Sequence, residues 1–398
     1  MARLALLVAL GTAAVALAQA PRVALTGFAV LPPDTFAQGP PSGAFRSPEK
    51  EDAGFSSQPV QGFSSIRPDR GRPGSWLALC DNGYGTKANS ADFLLRIYSV
   101  RPDWRAENGG SGRVQVGRFI QLSDPDRHVP FTLVRAGTPE RWLTGGDFDP
   151  EAFVELADGT FWIGDEFGPY LLHVDAAGRL LAPPFEAEGL RSPDHPVLAA
   201  AGDKASALAT VQRSRGFEGL ALHADGTRLL AMLESPPVGD PPFTTRVLEF
   251  DLGSQRFTGR TWRHRLSPRG GSATELVSYA PDWYLVIERD NASGNEAVLK
   301  SVVAIHLGEA DEGRPAALIA DLLDLADPRA LAGNGAAFRF PFITPEAIWP
   351  EGAYTLVLVN DNNYPGGGGR PPAGSKDASE FIRLRRSQPL PVDVPRSR

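Results

Sequence analysis

The sequence predicts an all-β protein, a β-propeller built from four-stranded antiparallel blades. Short apolar runs alternate with turns rich in glycine and proline, which number 42 and 36 among 398 residues. One hairpin pattern recurs along the chain, and an acidic side chain stands at the same corner of most copies. A ring of repeated modules explains this pattern, whereas a two-sheet sandwich gives no reason for the repeated acid.

The clearest copy of the hairpin lies near the middle of the chain. An apolar run, Ala152 to Leu156, meets a turn at Asp158-Gly159, and a second run, Thr160 to Ile163, follows. Asp-Gly between two such runs is a strong hairpin signal. Glu151 opens the first strand and Asp165-Glu166 closes the second. Because antiparallel pairing brings these ends together, we expect the acids to meet at one edge of the sheet.

The same hairpin occurs in five modules, with a nearly constant distance between its opening and closing residues. The first strands open at Ser64, Glu151, Glu218, Glu275 and Glu346. The second strands close at Asp81, Asp165, Glu234, Glu288 and Asn360, the last followed by Asp361. The final module lacks a clear fourth strand, which the apolar segment near residues 23–30 could supply. Five and six blades both remain open.

Charge and composition exclude some classes of partner. The formal net charge is −7 and the chain has no run of five Lys or Arg residues, so we expect no nucleic-acid partner. We expect a monomer that acts on a small molecule.

The ends of the chain differ from the repeated modules. Residues 1–20 have the pattern of a signal peptide, with Arg3, an apolar stretch and a small-residue cleavage site. A membrane anchor is the alternative, but the apolar stretch is short of the roughly 20 residues that a span needs. We therefore predict a secreted or periplasmic protein without a membrane span. The propeller domain is predicted over residues 21–385 and a disordered tail over residues 386–398.

The repeated acids predict a metal site. First strands line the axis of a propeller, so the opening acids should converge at one mouth of the channel, surrounded by the closing residues. Two carboxylates repel by roughly 4 kcal/mol at 4 Å and an effective dielectric constant of about 20. Oxygen ligands of this kind favour Ca²⁺ over Mg²⁺. The predicted metal ligands are Glu151, Glu218, Glu275, Glu346, Asp81, Glu234, Glu288, Asn360 and Asp361.

Two alternatives to a metal remain open. Each acid could simply end a strand or cap a turn. The acids could also be neutralised by Arg215, Arg289 or Lys87, which lie close to these corners in the sequence.

Several of these segments resemble one known family. Asp149-Pro150-Glu151, followed by the run from Asp158 to Tyr170, is similar to the signature of the phytase-like family, often labelled esterase-like activity of phytase. Further matching segments, in the same order, are Gly216 to Leu220, Glu288 to Asn291, and Pro345 to Ile348 with Asn360 to Asn363. The resemblance implies an exported propeller hydrolase with an ester or phosphoester substrate.

The expected chemistry is hydrolysis assisted by Ca²⁺ at the channel mouth. The chain has no Gly-x-Ser-x-Gly nucleophile motif, and one cysteine makes a structural zinc site improbable. Glu166 or Asp165 is predicted as the general base, and Arg215 and Arg289 are predicted to hold an anionic group of the substrate. Two other interpretations remain: a non-catalytic propeller that binds Ca²⁺ for rigidity and a ligand or envelope partner through its loops, and a lactonase.

Overall fold

The computed structural model describes residues 23–46, 54–308, 315–372 and 374–392. The predicted signal segment, residues 1–20, lies outside these ranges. The described chain is all-β and is organised as small antiparallel sheets, as the sequence predicts. None of its helices is long and apolar enough to span a membrane.

The bounds of the elements follow the predicted alternation of short strands and turns. The first part of the chain contains β1 (Ala24–Leu31), β2 (Phe36–Ala37), β3 (Gln58–Pro59), β4 (Phe63–Pro68), β5 (Trp76–Cys80), β6 (Arg96–Asp103), β7 (Arg113–Gln121), β8 (Pro150–Glu155), β9 (Phe161–Asp165), β10 (Tyr170–Val174) and β11 (Phe185–Glu186). A helical insertion contains α1 (Pro196–Ala199), a 3-10 turn (Gly202–Lys204) and α2 (Ala205–Leu208). The remaining strands are β12 (Phe217–Leu222), β13 (Arg228–Leu233), β14 (Thr244–Asp251), β15 (Arg256–Arg265), β16 (Ser272–Ala280), β17 (Trp283–Arg289), β18 (Lys300–His306), β19 (Pro315–Asp321), β20 (Leu325–Ala326), β21 (Ala337–Phe338), β22 (Pro345–Pro350), β23 (Thr355–Asn360) and β24 (Ser379–Arg385).

The main strands form five four-stranded antiparallel units in the described part of the chain. We name them units A to E, which are β4–β7, β8–β11, β12–β15, β16–β19 and β22–β24 with β1. The N-terminal strand β1 pairs antiparallel with β24 along nearly its whole length, so it supplies the fourth strand of unit E. This confirms the expectation that a strand from the start of the chain completes the last module.

The first strands of the five units contact one another in a closed cycle. β4 contacts β8, β8 contacts β12, β12 contacts β16, β16 contacts β22, and β22 contacts β4. The innermost strands therefore surround an axis, which is the arrangement of a β-propeller.

Apolar side chains fill the spaces between neighbouring units. Trp162 of unit B is an example: its ring stacks on His173 of the same sheet, with centroids 4.3 Å apart, and lies 5.0 Å from Phe250 of unit C. Four buried hydrophobic clusters of this kind join the units around the axis. Packing between sheets thus fixes each first strand relative to its neighbours.

Every first strand has a β-bulge at the same place, near its beginning. In unit B the register shifts between Pro150 and Ala152, and in unit C it shifts between Phe217 and Gly219. A bulge adds one residue to a strand and redirects its side chain. The five extra residues are Ser64, Glu151, Glu218, Glu275 and Glu346, which are the opening positions of the repeat.

The predicted disordered tail, 386–398, needs correction over residues 386–392. Leu390 is only 5% exposed and packs in the hydrophobic cluster between units D and E. The backbone N–H groups of Arg386 and Leu390 donate to the carbonyl oxygens of Tyr354 and Ala353. The prolines and charges of this segment suggested disorder, but one buried leucine and these hydrogen bonds hold it in place. Residues 393–398 lie outside the described ranges.

We expect Leu390→Ala to lower the free energy of unfolding by about 2–5 kcal/mol, because a buried leucine is replaced by a cavity. Val392→Ala is the matched control: Val392 is 59% exposed, so its truncation should change stability by less than about 0.5 kcal/mol. Urea unfolding followed by tryptophan fluorescence measures both. Equal effects of the two substitutions would contradict the docked tail.

Candidate functional site

The bulges bring three of the predicted opening acids into one cavity. Glu151, Glu218 and Glu346 all line a cavity of about 210 Å³ at one end of the cycle of first strands. Each is at most 7% exposed. The structure therefore gathers carboxylates from units B, C and E, although they are far apart in the sequence.

Residues that follow the second strands complete the cavity wall. Asp81, Glu166, Glu234 and Asp361 come directly after β5, β9, β13 and β23, and all four line the cavity. Gly62 gives Asp81 the room it needs, since φ at Gly62 is +67° and a Cβ there would lie 2.1 Å from Asp81 Oδ1. We call this cavity the acidic pocket. Its other lining residues are Asn82, Gly85, Asp149, Arg213, Ser214, Arg215, Arg289, Thr344 and Asn363.

Asp165 and Asn360 do not line the acidic pocket, and this corrects the prediction for both residues. Each is the last residue of its second strand, one position before the residue that faces the pocket. Successive side chains of a strand point to opposite faces, so an error of one residue reverses the direction. Asp165 accepts hydrogen bonds from the backbone N–H groups of Asp149 and Gly168, both at 2.7 Å. Asn360 Oδ1 accepts a hydrogen bond from the backbone N–H of Glu380 in β24 at 2.7 Å. Its Nδ2 donates to the carbonyl oxygen of Ala378, just before β24.

Glu275 is also outside the acidic pocket, although it occupies the bulge of unit D. Its φ is +53°, and its carboxylate pairs with the Arg67 guanidinium at 3.0 Å. Ser65 donates to the same carboxylate at 2.7 Å. The unusual backbone conformation directs this side chain away from the other acids, and an arginine neutralises it. Glu275 therefore lies apart from the acids that line the acidic pocket.

Glu288 makes a structural contact instead of lining the acidic pocket. Its Oε1 lies 2.9 Å from His264 Nε2, and its Oε2 accepts a hydrogen bond from the backbone N–H of Ser267 at 2.9 Å. The next residue, Arg289, points into the pocket in its place. Unit D thus contributes a cation where the other units contribute acids.

Arg215 and Arg289 both lie in the acidic pocket, as predicted, and both bind the same acid. Arg289 Nη2 lies 2.8 Å from Glu234 Oε1, and Arg215 pairs with Glu234 Oε2. Burial opposes the charge of each arginine, but Glu234 and the neighbouring carboxylates together outweigh it and raise the pKa of both guanidinium groups. Neutralisation by arginine therefore accounts for Glu234. Lys87, the third cation considered, does not line this pocket and lies over the ring of Phe167.

Three other acids form a cluster in the acidic pocket. Oxygens of Asp149, Glu151 and Glu166 all lie within 4.8 Å of one another. No arginine or lysine of the described ranges is within ion-pair distance of these three carboxyls. The buried Oε1 of Glu166 has no hydrogen-bond partner among the described residues. A second set of acids, Glu166, Glu218 and Glu234, meets the first at Glu166.

Burial and mutual repulsion hold protons on this cluster. Burial, followed by the neighbouring acids, raises the pKa of Glu151 and of Glu166 well above the ordinary value for glutamate. Burial also raises the pKa of Asp149 to about 6 and that of Glu218 to about 8. The carboxyls therefore need protons or a cation to lie this close together.

The donor set suits a hard cation. Carboxylate oxygens from Asp149, Glu151 and Glu166 are the ligand type that Ca²⁺ prefers. The Glu166 oxygen without a hydrogen-bond partner among the described residues is buried, and a cation could take it as a ligand. These three residues of the acidic pocket thus fit a calcium ion, because their buried carboxyl groups lie close together without an arginine or lysine of the described chain to pair with them.

Sequence reasoning missed several lining residues. The sequence pattern marks Asp149 only as part of a motif, yet in the structure it accepts hydrogen bonds from the backbone N–H and the side-chain amide of Asn82, at 3.0 and 2.8 Å. Its position two residues before the bulge was the available signal. Arg213 and Thr344 lie in loops, where the strand pattern gives no direction for a side chain.

The fold and the pocket define a class: β-propeller proteins with an enzyme-like acidic pocket at the axis. The family model described as "Phytase-like: Esterase-like activity of phytase" matches residues 58–364. The chain therefore belongs to the phytase-like family, which confirms the resemblance seen in the sequence. No curated protein matches the chain.

Several solved structures are distantly similar to the chain. A PQQ-bound aldose sugar dehydrogenase from Streptomyces coelicolor is 14% identical, with a TM-score of 0.38 over 92% of this chain and 99% of that chain. An α-L-arabinofuranosidase from Clostridium thermocellum is 12% identical, with a TM-score of 0.40 over 83% of this chain and 93% of that chain. At these scores the likenesses do not bear on function.

In the presence of a chelator that removes metal ions, the free energy of unfolding should fall as the pH rises from about 5 to about 8. Carboxyl groups of the unfolded chain have pKa values of about 4, whereas burial in the folded protein raises the pKa of Asp149 and Asp361 to about 6 and that of Glu218 to about 8. In this window the folded state holds protons that the unfolded state has released, so raising the pH favours unfolding.

Urea unfolding at pH 5, 6.5 and 8 with EDTA measures this slope. Glu218→Gln should flatten the part between pH 6.5 and 8, since it removes the group with the highest of these pKa values. Stability that is constant or rises over the whole window would contradict the raised pKa values.

Proposed function

We propose that the protein is an exported hydrolase of an ester or phosphoester, and that its acidic pocket holds Ca²⁺. The observation that carries the proposal is the cluster of Asp149, Glu151 and Glu166, whose buried oxygens approach within 4.8 Å without a cation from the described chain. Membership of the phytase-like family supports the reaction class. The signal-peptide pattern of residues 1–20 supports export to a compartment where calcium is abundant.

We propose a ring of five blades. The described chain contains five four-stranded units whose first strands contact one another in a complete cycle. β1 completes unit E, so the ring closes with a strand from each end of the chain. This closure fixes the acids of units B, C and E around one axis, which a metal site requires.

The acidic pocket divides into two halves with different roles. Asp149, Glu151 and Glu166 would hold the cation, with Asp81 and Asp361 close by. When bound, Ca²⁺ would supply Lewis-acid stabilisation for negative charge that develops on an ester or phosphoryl oxygen. The protein itself holds these carboxylates in place through the bulges and through the hydrogen bonds of Asn82 to Asp149.

The other half of the acidic pocket suits the anionic part of a substrate. Arg215 and Arg289 are held by Glu234, and Arg213 lies at the rim with its side chain 52% exposed. Donors fixed before the substrate arrives stabilise developing charge without reorganisation. These arginines would therefore orient a phosphate or carboxylate oxygen between themselves and the carboxylate cluster.

Glu218 lies between the two halves and is placed to move a proton. It is hydrogen-bonded with Glu166 on the side of the carboxylate cluster, and it lies near Glu234 on the side of the arginines. We propose Glu218 as the group that takes a proton from the attacking water. Asp165, an earlier candidate for this role, is enclosed by backbone N–H groups and does not reach the pocket.

Adding Ca²⁺ after EDTA treatment should raise the melting temperature, because a ligand that binds only the folded state stabilises it. At a concentration of about 100 times Kd the gain is about 2.7 kcal/mol. Glu151→Gln should remove most of this gain. Glu275→Gln is the matched control: it alters the equivalent position of unit D and lowers stability, but it should leave the calcium increment intact.

The thermal experiment is differential scanning fluorimetry with EDTA, Ca²⁺ and Mg²⁺. Equal melting temperatures with and without Ca²⁺ would remove the metal from the proposal. A calcium increment without turnover of any ester would instead favour a non-catalytic propeller, in which the ion only rigidifies the acidic pocket.

Turnover should require both Ca²⁺ and the carboxylate cluster. On a panel of esters and phosphomonoesters, we expect Glu218→Gln to reduce kcat by about 100-fold or more, as loss of a general base does. Glu188→Gln, an exposed glutamate in the loop before the helical insertion, should leave kcat unchanged. Turnover that persists in EDTA at the same rate would contradict the proposed mechanism.

A further inference from the structure

A second cavity, of about 350 Å³, opens beside the acidic pocket. Asp81, Gly85 and Asn363 line both cavities. A molecule with its reacting group among the carboxylates can therefore extend past these three residues into the second space. We call it the tyrosine cavity, and its own lining includes Arg46, Tyr84, Asn89 and Tyr364.

Two tyrosines, Tyr84 and Tyr364, belong to the wall of the tyrosine cavity. The ring of Phe55 lies behind both tyrosines, 6.5 Å from Tyr84 and 5.2 Å from Tyr364, measured between centroids. Each tyrosine hydroxyl is already engaged: that of Tyr84 with Ser42 Oγ at 2.9 Å, and that of Tyr364 with Asp34 Oδ1 at 2.7 Å. The two tyrosines are thus fixed in place. Tyr364 is only 1% exposed and supports the wall, whereas the half-buried Tyr84 can offer ring carbon surface to a ligand.

A planar cation extends this aromatic wall. The guanidinium carbon of Arg46 lies 4.3 Å from the ring centroid of Phe55 and 5.8 Å from that of Tyr84. Guanidinium groups stack on aromatic faces and present a flat surface themselves. Arg46 and Tyr84 both line the cavity, and flat groups of this kind suit a flat ligand, because stacking needs extended parallel contact.

Each amide at the rim already uses one of its polar atoms within the protein. Asn89 Oδ1 accepts a hydrogen bond from the Thr86 backbone N–H at 2.9 Å, and Asn363 Nδ2 donates to Thr344 Oγ1 at 2.5 Å. These side chains already hold the loops around the cavity. A sugar needs several hydrogen-bond partners for its hydroxyl groups, whereas an aromatic ring needs mainly contact area.

We propose that the tyrosine cavity binds a flat aromatic ring of the substrate, so that the preferred substrates are aryl esters or aryl phosphoesters. This inference rests on the proposed function, because the acidic pocket must hold the ester or phosphate group next to the ring. Tyr84 and Arg46 are the residues that set the preference.

Binding of three phosphates tests this inference without depending on turnover. The probes are phenyl phosphate, methyl phosphate and glucose 1-phosphate, titrated calorimetrically in saturating Ca²⁺. Phenyl phosphate should bind about tenfold more tightly than methyl phosphate, since a stacked ring adds roughly one factor of ten. Glucose 1-phosphate should show no such gain. A phenyl-to-methyl ratio near one, or a larger gain for glucose 1-phosphate, would overturn the inference.

Variants locate the preference in the tyrosine cavity. Tyr84→Leu and Arg46→Ala should each bring the phenyl-to-methyl ratio close to one. Tyr84→Phe should keep the ratio, since it retains the ring and loses only the hydroxyl contact with Ser42. Arg101→Ala, at an exposed position in β6, should leave the ratio unchanged. A ratio that survives both Tyr84→Leu and Arg46→Ala would place the ring elsewhere and overturn the inference.

The same titrations in EDTA separate this inference from the proposed function. A tenfold ratio that persists in EDTA supports the tyrosine cavity and contradicts the role of calcium. Strong calcium-dependent binding of all three phosphates with equal affinity supports the acidic pocket and overturns the aromatic subsite.

Discussion

The structure depends on one constraint, the enclosure of several carboxyl groups at the axis of the ring. A single extra residue in each first strand determines which side chains reach that place, since the bulge turns Glu151, Glu218 and Glu346 towards the same cavity. The bulge is a backbone feature and does not depend on which side chain occupies it. In unit A the same position is Ser64, whose hydroxyl donates to Glu346 at 3.1 Å. The same bulge position therefore holds an acid, Glu346, in unit E and the hydroxyl group that binds this acid, Ser64, in unit A.

The electrostatics of the acidic pocket follow from how few cations it contains. Glu234 takes both Arg215 and Arg289, so these two positive charges are concentrated on one carboxylate. No arginine or lysine of the described chain forms an ion pair with Glu151 or Glu166, and burial together with the neighbouring acids raises the pKa of both carboxyls well above the ordinary value. Burying a charge costs several kcal/mol unless it is paired, and protonation avoids the cost at the expense of stability at higher pH. A bound cation removes the need for those protons, so the same cluster that weakens the metal-free protein favours metal binding.

The repeat was visible in the sequence because the hairpin spacing and the acids recur together. The all-β class, the antiparallel four-stranded modules and the pairing of β1 with the last module all followed from apolar runs and turn residues. Side-chain direction was harder to predict. Asp165 and Asn360 stand one residue before Glu166 and Asp361, and a shift of one position reverses the face of a strand. The length of each turn sets that register, and the sequence pattern does not specify it to a single residue.

Unit D shows the limit of reasoning from a repeat. Glu275 has the right position and the right chemistry, but its backbone adopts a φ of +53° and its carboxylate meets Arg67. Arg67 belongs to unit A and lies 208 residues away in the chain, so the sequence around Glu275 does not indicate this ion pair. A local sequence pattern predicts the position of a residue in the repeat, whereas a contact with a distant residue determines the direction of its side chain.

The displaced acid of unit D has its own consequence for the axis. Arg67 donates to Glu275 and to the carbonyl oxygen of Leu220, so its guanidinium joins units A, C and D across the centre of the ring. Beyond it lies a separate cavity of about 330 Å³ that shares no lining residue with the acidic pocket. The buried ion pair of Arg67 and Glu275 thus joins first strands from three units at a level of the ring that is separate from the acidic pocket. Its two charges interact more strongly than they would in water, because both side chains are buried in a medium of low dielectric constant.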